Sequence, residues 1–300
     1  MKFWCATAWV DPTSIAGIAR LVDEAGYHGL MASDHLVYPR ELASKYPYSP
    51  HPDGRPVWDE TAPWPDPWVL FGGLAAVTTQ LRFTTNIYVA PQRPLLEVAK
   101  VVGTASVLSG GRVALGAGAG WMREEFDLQG QDYDNRGKRL AEMVAALREL
   151  WKGGWVEFHG EYYDVPALTM EPHPPEPIPI YLGGHSEVAL RRAAQLADGW
   201  VGGAYGWDEL AKVVGRLKEL LAEAGRADDD FEILAAINAM PDPELYQRAE
   251  RELGVTGTMC MPWILDGDLA RARESGITPP TEAYRESIER FAKDIVQPCA

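Results

Sequence analysis

The feature that most constrains the fold of this chain is a regular alternation of strand-like and helix-like segments along its length. Short apolar runs predict strands at 3–9, 28–32, 81–89, 112–117, 178–182, 199–203, 231–237 and 255–261. Between them, apolar residues at helical spacing predict helices at 15–25, 67–78, 98–108, 140–151, 187–197, 210–221, 243–253 and 281–295. Eight strands alternating with eight helices favour a single (β/α)8 TIM barrel over an open, doubly wound sheet.

Composition narrows the class of protein further. With 300 residues and 46% hydrophobic content, the chain can bury a large core, and no shift in composition divides it, so we expect one domain over 1–300. The net charge of −15 argues against binding to nucleic acid or to an anionic membrane through the overall field. No signal peptide or membrane-spanning run is visible, and three scattered cysteines predict neither a disulfide framework nor a metal site. We therefore expect a cytoplasmic enzyme that acts on a small molecule.

Long irregular stretches follow three of the predicted strands. They are insertions after strands two, four and eight, at 35–66, 118–135 and 262–280. A further excursion at 155–177 predicts a small hairpin around His159 and Gly160. Barrel enzymes build their active sites from loops at the carboxyl ends of the strands. These insertions are therefore where we expect the site.

An acid and an imidazole, Asp34 and His35, end the second predicted strand. At the carboxyl end of a barrel strand, such a pair can position a ligand or transfer a proton near neutral pH. Taken alone, an aspartate that caps a turn beside an exposed histidine is the simpler interpretation. A functional role for the pair is favoured only when the other features of the same barrel rim are considered with it.

Glycines follow two further strands. The spacing of Gly116, Gly118 and Gly120 does not fit a dinucleotide fingerprint, because Trp121 interrupts it. These glycines either admit a flat ligand close to the backbone or ease a tight barrel rim. After the fifth strand, two glycines precede a helix start, which suits a phosphate but equally suits an ordinary turn with Ser186 as the helix cap.

Together these elements resemble the luciferase-like flavin and deazaflavin oxidoreductases, a family of (β/α)8 barrels. The order and spacing of many segments carry the resemblance across the whole chain. The matching segments are 32–35, 85–91, 108–113, 116–121, 124–126, 136–140, 180–184 and 197–200.

The resemblance is closest to the branch that uses coenzyme F420, because of the Asp-His pair. It implies that Asp34 lies against the deazaflavin and that His35 faces the reacting centre. It also implies a non-prolyl cis peptide bond between Asn86 and Ile87, behind the ring. The other residues implied to contact the cofactor are Gly118 and Ala119 at the ring and its side chain, and Gly183, Gly184, His185 and Ser186 at its phosphate.

One position departs from the pattern of the family members that oxidise sugar phosphates. They carry a catalytic glutamate after the strand-four glycines, where this chain has Trp121. The long loops are instead rich in aromatic residues, which favour flat or apolar substrates. We expect Trp121 to line the substrate pocket, together with either Trp64 or Trp68.

The leading hypothesis is an F420-dependent oxidoreductase in which His35 polarises the substrate or moves a proton. The nearest alternative is an FMN-dependent monooxygenase of the same family. A second alternative is a flavin- or deazaflavin-binding protein without turnover, and a barrel hydrolase is more distant because no metal-ligand set is visible. The resemblance also suggests a homodimer, and strand adjacency predicts that Cys5 and Cys260 are neighbouring buried thiols.

Overall fold

A computed structural model describes residues 1–264, 266–267 and 279–299. Its strands are β1 (Lys2–Ala6), β2 (Gly29–Ala32), β3 (Arg82–Thr85), β4 (Val113–Ala117), β5 (Val156–His159), β6 (Asp164–Leu168), β7 (Ile180–Gly183), β8 (Gly199–Tyr205), β9 (Glu232–Ile237) and β10 (Gly257–Cys260). Its α-helices are α1 (Pro12–Glu24), α2 (Pro67–Ala75), α3 (Leu95–Ser109), α4 (Arg123–Leu128), α5 (Arg136–Leu150), α6 (Glu187–Leu196), α7 (Trp207–Glu223), α8 (Pro243–Arg248) and α9 (Arg285–Phe291).

The strands outside β5 and β6 close a parallel barrel in the order β1-β10-β9-β8-β7-β4-β3-β2. Every neighbouring pair is parallel, and β1 closes the ring by pairing with both β10 and β2. The strands alternate along the chain with helices that cover the outside, which confirms the (β/α)8 prediction. The antiparallel β5–β6 pair is the predicted hairpin, formed outside the barrel.

Two apolar clusters hold the barrel together. Alternate strand residues point inward and form the smaller one, which contains Trp4, Met31, Ala114, Tyr181, Val201 and Leu234. The outward-facing strand residues pack with the helices in the larger cluster, as Phe3 and Leu30 do. Cys5 and Cys260 are register partners on β1 and β10, and both are buried free thiols, as predicted.

Sequence reasoning extended two strands too far. Strand β1 ends at Ala6 rather than residue 9, because Val10 donates its backbone N–H to Thr7 in a turn. Strand β3 ends at Thr85 rather than residue 89. Its chain then changes partners, since Asn86 donates to Ala32 of β2 whereas Tyr88 donates to Gly116 of β4.

The inserted loops occupy the predicted places. The segment between β2 and α2 contains no helix or strand, and the segment after β4 contains α4, which the sequence analysis did not predict. The predicted insertion at 262–280 lies partly outside the described residues. In the part of the chain that is described, no helix combines the length and apolarity that a membrane span requires.

A cavity of about 350 Å³ lies at the amino-terminal end of the barrel, opposite the inserted loops, and His28 lines it. Burial, assisted by the positive charges of nearby Lys2 and Arg82 and opposed by Glu232, lowers the pKa of His28 to about 4. The unfolded chain therefore binds a proton at this side chain at a higher pH than the folded chain does.

We expect this histidine to destabilise the fold as the pH falls. The contribution of neutral His28 to the free energy of unfolding is fully present above the unfolded pKa of about 6.5. It is lost progressively as the pH falls toward about 4. Allowing for partial exposure, the loss is on the order of 2 kcal/mol of unfolding free energy. Denaturant titrations at several pH values should show this slope, and His28→Gln should flatten it. An unchanged slope in His28→Gln would assign the effect to other groups.

Candidate active site

The predicted site residues lie on one rim, because the carboxyl ends of parallel strands meet at the same end of a barrel. Asp34 and His35 follow β2, Asn86 and Ile87 follow β3, and Gly118 follows β4. Gly183 ends β7, and His185 precedes α6. The structure thus brings together at one end segments that are up to 150 positions apart in sequence (from 35 to 185).

Ile87 lies in a cradle that two glycines make possible. The peptide bond between Asn86 and Ile87 is cis, as the resemblance implies. A Cβ atom added to Gly118 would lie 2.4 Å from Cδ1 of Ile87, and one added to Gly183 would lie 2.7 Å from its Cγ2. Any side chain at either glycine would therefore displace Ile87. Gly118 and Gly183 thus pack closely against Ile87, and all three residues are predicted to contact the cofactor.

Three hydrogen bonds, from two residues, hold the carboxylate of Asp34 in place. Its Oδ1 and Oδ2 accept hydrogen bonds from the two terminal nitrogens of Arg93 at 2.8 and 2.7 Å, and Oδ2 also accepts from the Val89 N–H at 2.9 Å. Burial works to lower the pKa of the Arg93 guanidinium, but the Asp34 carboxylate outweighs it and the pKa is raised. The sequence analysis did not predict this buried ion pair, which ties the end of β2 to the segment after β3. A contact between Asp34 and a cofactor remains a prediction.

His35 lies among aromatic rings, with its side chain only 9% exposed. Its ring centroid lies 5.0 Å from that of Trp58, 5.1 Å from that of Trp64 and 5.8 Å from that of Trp121. Trp58 also contacts Trp64 and Tyr46, so the rings form a continuous group. We call this group the ring cluster; it consists of Tyr46, Trp58, Trp64 and Trp121 around His35.

The two tryptophans proposed for the pocket lie in different surroundings. Trp64 belongs to the ring cluster, and its buried indole N–H has no hydrogen-bond partner among the described residues. Trp68 is instead buried in the core, where it packs edge-on against Phe71 and Tyr88. Asp66 caps α2, and the three-residue spacing from Trp68 to Phe71 places both on the buried helix face.

Glu125 is the site residue that sequence reasoning missed. Its Oε1 lies 3.2 Å from Nδ1 of His35, and it accepts the Leu36 N–H at 2.7 Å. Its side chain is only 2% exposed. Segment 124–126 was noted for the family resemblance, but no local pattern indicates that α4 reaches back to residue 35. Among the described residues, no group of acids, histidines and cysteines is arranged to hold a metal ion.

The rim after β7 consists of glycines and exposed polar residues, in contrast to the aromatic ring cluster. Gly184 has a φ of +117°, a region that strongly favours glycine, and its carbonyl accepts from the indole N–H of Trp200 at 2.8 Å. Ser186 caps α6 by accepting from the Ala189 N–H, and the exposed His185 packs against Tyr48 at 5.1 Å between ring centroids. The simpler interpretation of Ser186 as a helix cap is therefore correct for its hydroxyl group.

An unneutralised guanidinium lies between α5 and α6. Nη2 of Arg192 would lie 2.7 Å from a Cβ atom added to Gly137 in the first turn of α5. Burial lowers the pKa of Arg192, and the neighbouring Arg136 lowers it further. No acid in the described residues pairs with Arg192, whereas the adjacent Arg191 pairs with Glu187 and Glu223. This part of the surface therefore favours an anion.

The fold is a (β/α)8 barrel with a candidate ligand site at the carboxyl ends of its strands. The sequence model of the luciferase-like monooxygenases matches residues 6–299. The chain belongs to this family.

Individual relatives extend the comparison. An uncharacterized protein of Mycobacterium tuberculosis strain H37Rv is 42% identical over 299 residues, which is 99% of each chain. An F420-dependent glucose-6-phosphate dehydrogenase of Microbacterium testaceum is 30% identical over 239 residues, covering 78% of this chain and 66% of the relative. These similarities indicate an oxidoreductase in general terms.

Solved structures share the fold at low sequence identity. An F420-dependent secondary alcohol dehydrogenase, solved with an F420-acetone adduct, has a TM-score of 0.70 at 18% identity and full coverage of both chains. The monooxygenase RslO1 from Streptomyces bottropensis has a TM-score of 0.67 at 19% identity, again over both whole chains.

Proposed function

We propose that this protein is a cytoplasmic F420-dependent oxidoreductase that transfers a hydride between the deazaflavin and a flat or apolar organic substrate. The observation that carries the proposal is the position of Asp34-His35 on the same rim as Ile87 and its glycine cradle. The F420-dependent relatives support the choice of cofactor.

The residues present fit such a cofactor. Asn86, Ile87, Gly118 and Ala119 would hold the ring, because the glycine cradle brings backbone close to Ile87 without intervening side chains. Gly183, Gly184, His185 and Ser186 would hold the phosphate. Arg192 adds a positive charge near the start of α5 that the described acids do not neutralise.

The bound cofactor would supply a carbon centre, C5, that accepts or donates a hydride. The protein would orient the reactants and exclude water, and the ring cluster provides an apolar wall for both purposes. His35 would polarise the substrate or carry the accompanying proton. Since Nδ1 faces Glu125, Nε2 is the nitrogen left for this exchange.

The ring cluster also favours one class of substrate. Trp64 and Trp121 enclose the candidate base with flat, largely apolar surfaces. The indole N–H of Trp64, which has no partner in the described part of the chain, can donate to a carbonyl or similar acceptor. Trp121 stands where the family's sugar-phosphate enzymes carry glutamate. We therefore propose an aromatic or apolar substrate rather than a sugar phosphate.

The proposal is tested by hydride transfer itself. Purified protein with F420 should oxidise members of a panel of secondary alcohols, or with reduced F420 should reduce flat carbonyl or quinone compounds. Stable cofactor binding without exchange against any member would instead favour the non-catalytic alternative. The shared fold with the monooxygenase RslO1 keeps FMN-dependent oxygenation as the second candidate.

Arg192 offers a specific test of anion recognition. Arg192→Gln should weaken F420 binding about tenfold, because a charge-assisted hydrogen bond contributes about 1.5 kcal/mol or more. Arg191→Gln is the matched control, since Arg191 is exposed on the same helix and already paired. Fluorescence titration gives both dissociation constants. Equal losses in the two variants would contradict a role for Arg192.

We also propose that the protein is a homodimer that associates through α2 and α3. No charged residue occurs in 67–81, and Val69 of α2 and Leu108 of α3 are 78% and 64% exposed. The double variant Val69→Asp, Leu108→Asp should sediment as a monomer where the parent protein sediments as a dimer. Val188→Asp, at an equally exposed apolar position on α6, should leave the parent state unchanged. A dimer that survives the double variant would exclude this surface.

A further inference from the structure

Glu125 is a deeply buried carboxylate without a lysine or arginine partner among the described residues. Its Oε1 contacts Nδ1 of His35 and the backbone N–H groups of Leu36 and Val37 at 3.2, 2.7 and 3.4 Å. In the amide orientation that satisfies both neighbours, Gln92 donates to Oε2 at 3.3 Å and accepts from Arg93 at 3.0 Å. The Arg93 guanidinium, which Gln92 contacts, pairs with Asp34 instead of Glu125. Among the described residues, His35 is the basic side chain in direct contact with Glu125.

This contact determines which nitrogen of His35 carries the proton. An ionised carboxylate only accepts hydrogen bonds, so Nδ1 must donate to it. Nε2 is then the nitrogen free to accept or release a proton on the opposite side of the ring. The aromatic contacts with Trp58, Trp64 and Trp121 restrict rotation of the same imidazole ring.

We propose that Glu125 is a positioning residue that fixes the orientation and Nδ1–H tautomer of His35 and stabilises the ring when it is protonated. The inference rests on the proposed catalytic role of His35. It adds to that role a buried partner from a helix 90 residues away in sequence.

The neighbouring Glu124 is an acid with a structural role only, and it provides a comparison for Glu125. Its Oε1 accepts the backbone N–H groups of Ala43 and Ser44 at 2.7 and 3.0 Å, so it anchors the same loop from the same helix. Glu124 does not contact His35. If Glu125 only anchored the loop, neutralising either acid would have the same consequence.

Glu125→Gln is the central variant. The amide oxygen can still accept the Leu36 N–H, so the loop anchor is retained while the negative charge is removed. We expect kcat to fall about tenfold to a hundredfold with little change in KM, which is less than the full contribution of a general acid–base group. Glu124→Gln, the matched control, should retain the parent kcat. Equal reductions in both variants would overturn the proposal.

A spectroscopic measurement on the unsubstituted protein does not depend on turnover or on any cofactor. Nitrogen NMR of labelled histidine, assigned through His35→Gln, should show the Nδ1–H tautomer of neutral His35. Glu125→Gln should weaken that preference, and Glu124→Gln should not. A predominant Nε2–H tautomer in the unsubstituted protein would overturn the positioning role. Failure of F420 binding, with the tautomer as expected, would instead count against the proposed function alone.

Discussion

Replacing His35 with alanine is expected to reduce turnover by a factor on the order of 10²–10⁴, the range that a positioned general acid–base group contributes. The side chain lies at the barrel rim, in contact with Glu125 and three tryptophans, and its removal leaves no other imidazole in the ring cluster. Cofactor affinity should change much less, because the glycine cradle and the rim after β7 are separate from His35. Steady-state kinetics and a cofactor titration on the same preparation measure both quantities.

A conservative replacement separates chemistry from packing in this prediction. His35→Gln retains a planar polar group between the rings but cannot transfer a proton near neutral pH. It should therefore be nearly as slow as the alanine variant. Turnover in His35→Ala that equals that of the parent protein would remove the proposed catalytic role.

Breaking the buried ion pair of Asp34 and Arg93 should produce the largest loss of stability. Arg93→Met leaves an uncompensated carboxylate in the core, and removal of one member of a buried pair typically costs about 3–5 kcal/mol. Arg93 also lies over the ring of Tyr88 at 4.1 Å, so the variant loses a cation–π contact as well. Denaturant unfolding near neutral pH should report a correspondingly lower midpoint.

Arg123→Met is the control for the ion-pair prediction. Arg123 pairs with Asp134 at 2.6 Å, but both side chains are exposed, and such pairs contribute about 1 kcal/mol or less. A loss in Arg93→Met no greater than that in Arg123→Met would mean that the buried pair does not stabilise the fold.

The barrel could be predicted from sequence because its determinants are local. Apolar runs of strand length and helical stripes appear as periodic patterns. In the stripe of Leu210, Val213, Val214, Leu217 and Leu221, all but the half-buried Val213 are buried on α7. Strand ends were less accurate. The end of β3 depends on a change of hydrogen-bonding partner at Asn86, which no local pattern signals.

For the candidate site, too, the sequence predicts the positions of some residues but not their long-range partners. The rim positions of Asp34, His35 and Gly183 follow from strand order, and the cis bond at Asn86 follows from family resemblance. The partners of these residues do not, because Arg93 and Glu125 are 59 and 90 positions away from Asp34 and His35. Their roles arise only when the chain is folded.

The choice between Trp64 and Trp68 shows how helix phase could have improved the prediction. Trp68 lies three residues before Phe71 in a helix that Asp66-Pro67 opens, which is the spacing of one helix face. Trp64 precedes the cap and belongs to the loop. Assigning the faces of the predicted helix at 67–78 would have placed Trp68 in the core.

Cofactor choice is the central claim, and the most direct test is a titration of the cofactor-free protein with F420 and with FMN under identical conditions. Binding of each can be followed by the change in its own fluorescence. We predict that F420 binds at least about tenfold more tightly than FMN, a difference of about 1.4 kcal/mol. Tight binding of FMN with no binding of F420 would contradict it and assign the protein to the FMN-dependent monooxygenases of the family.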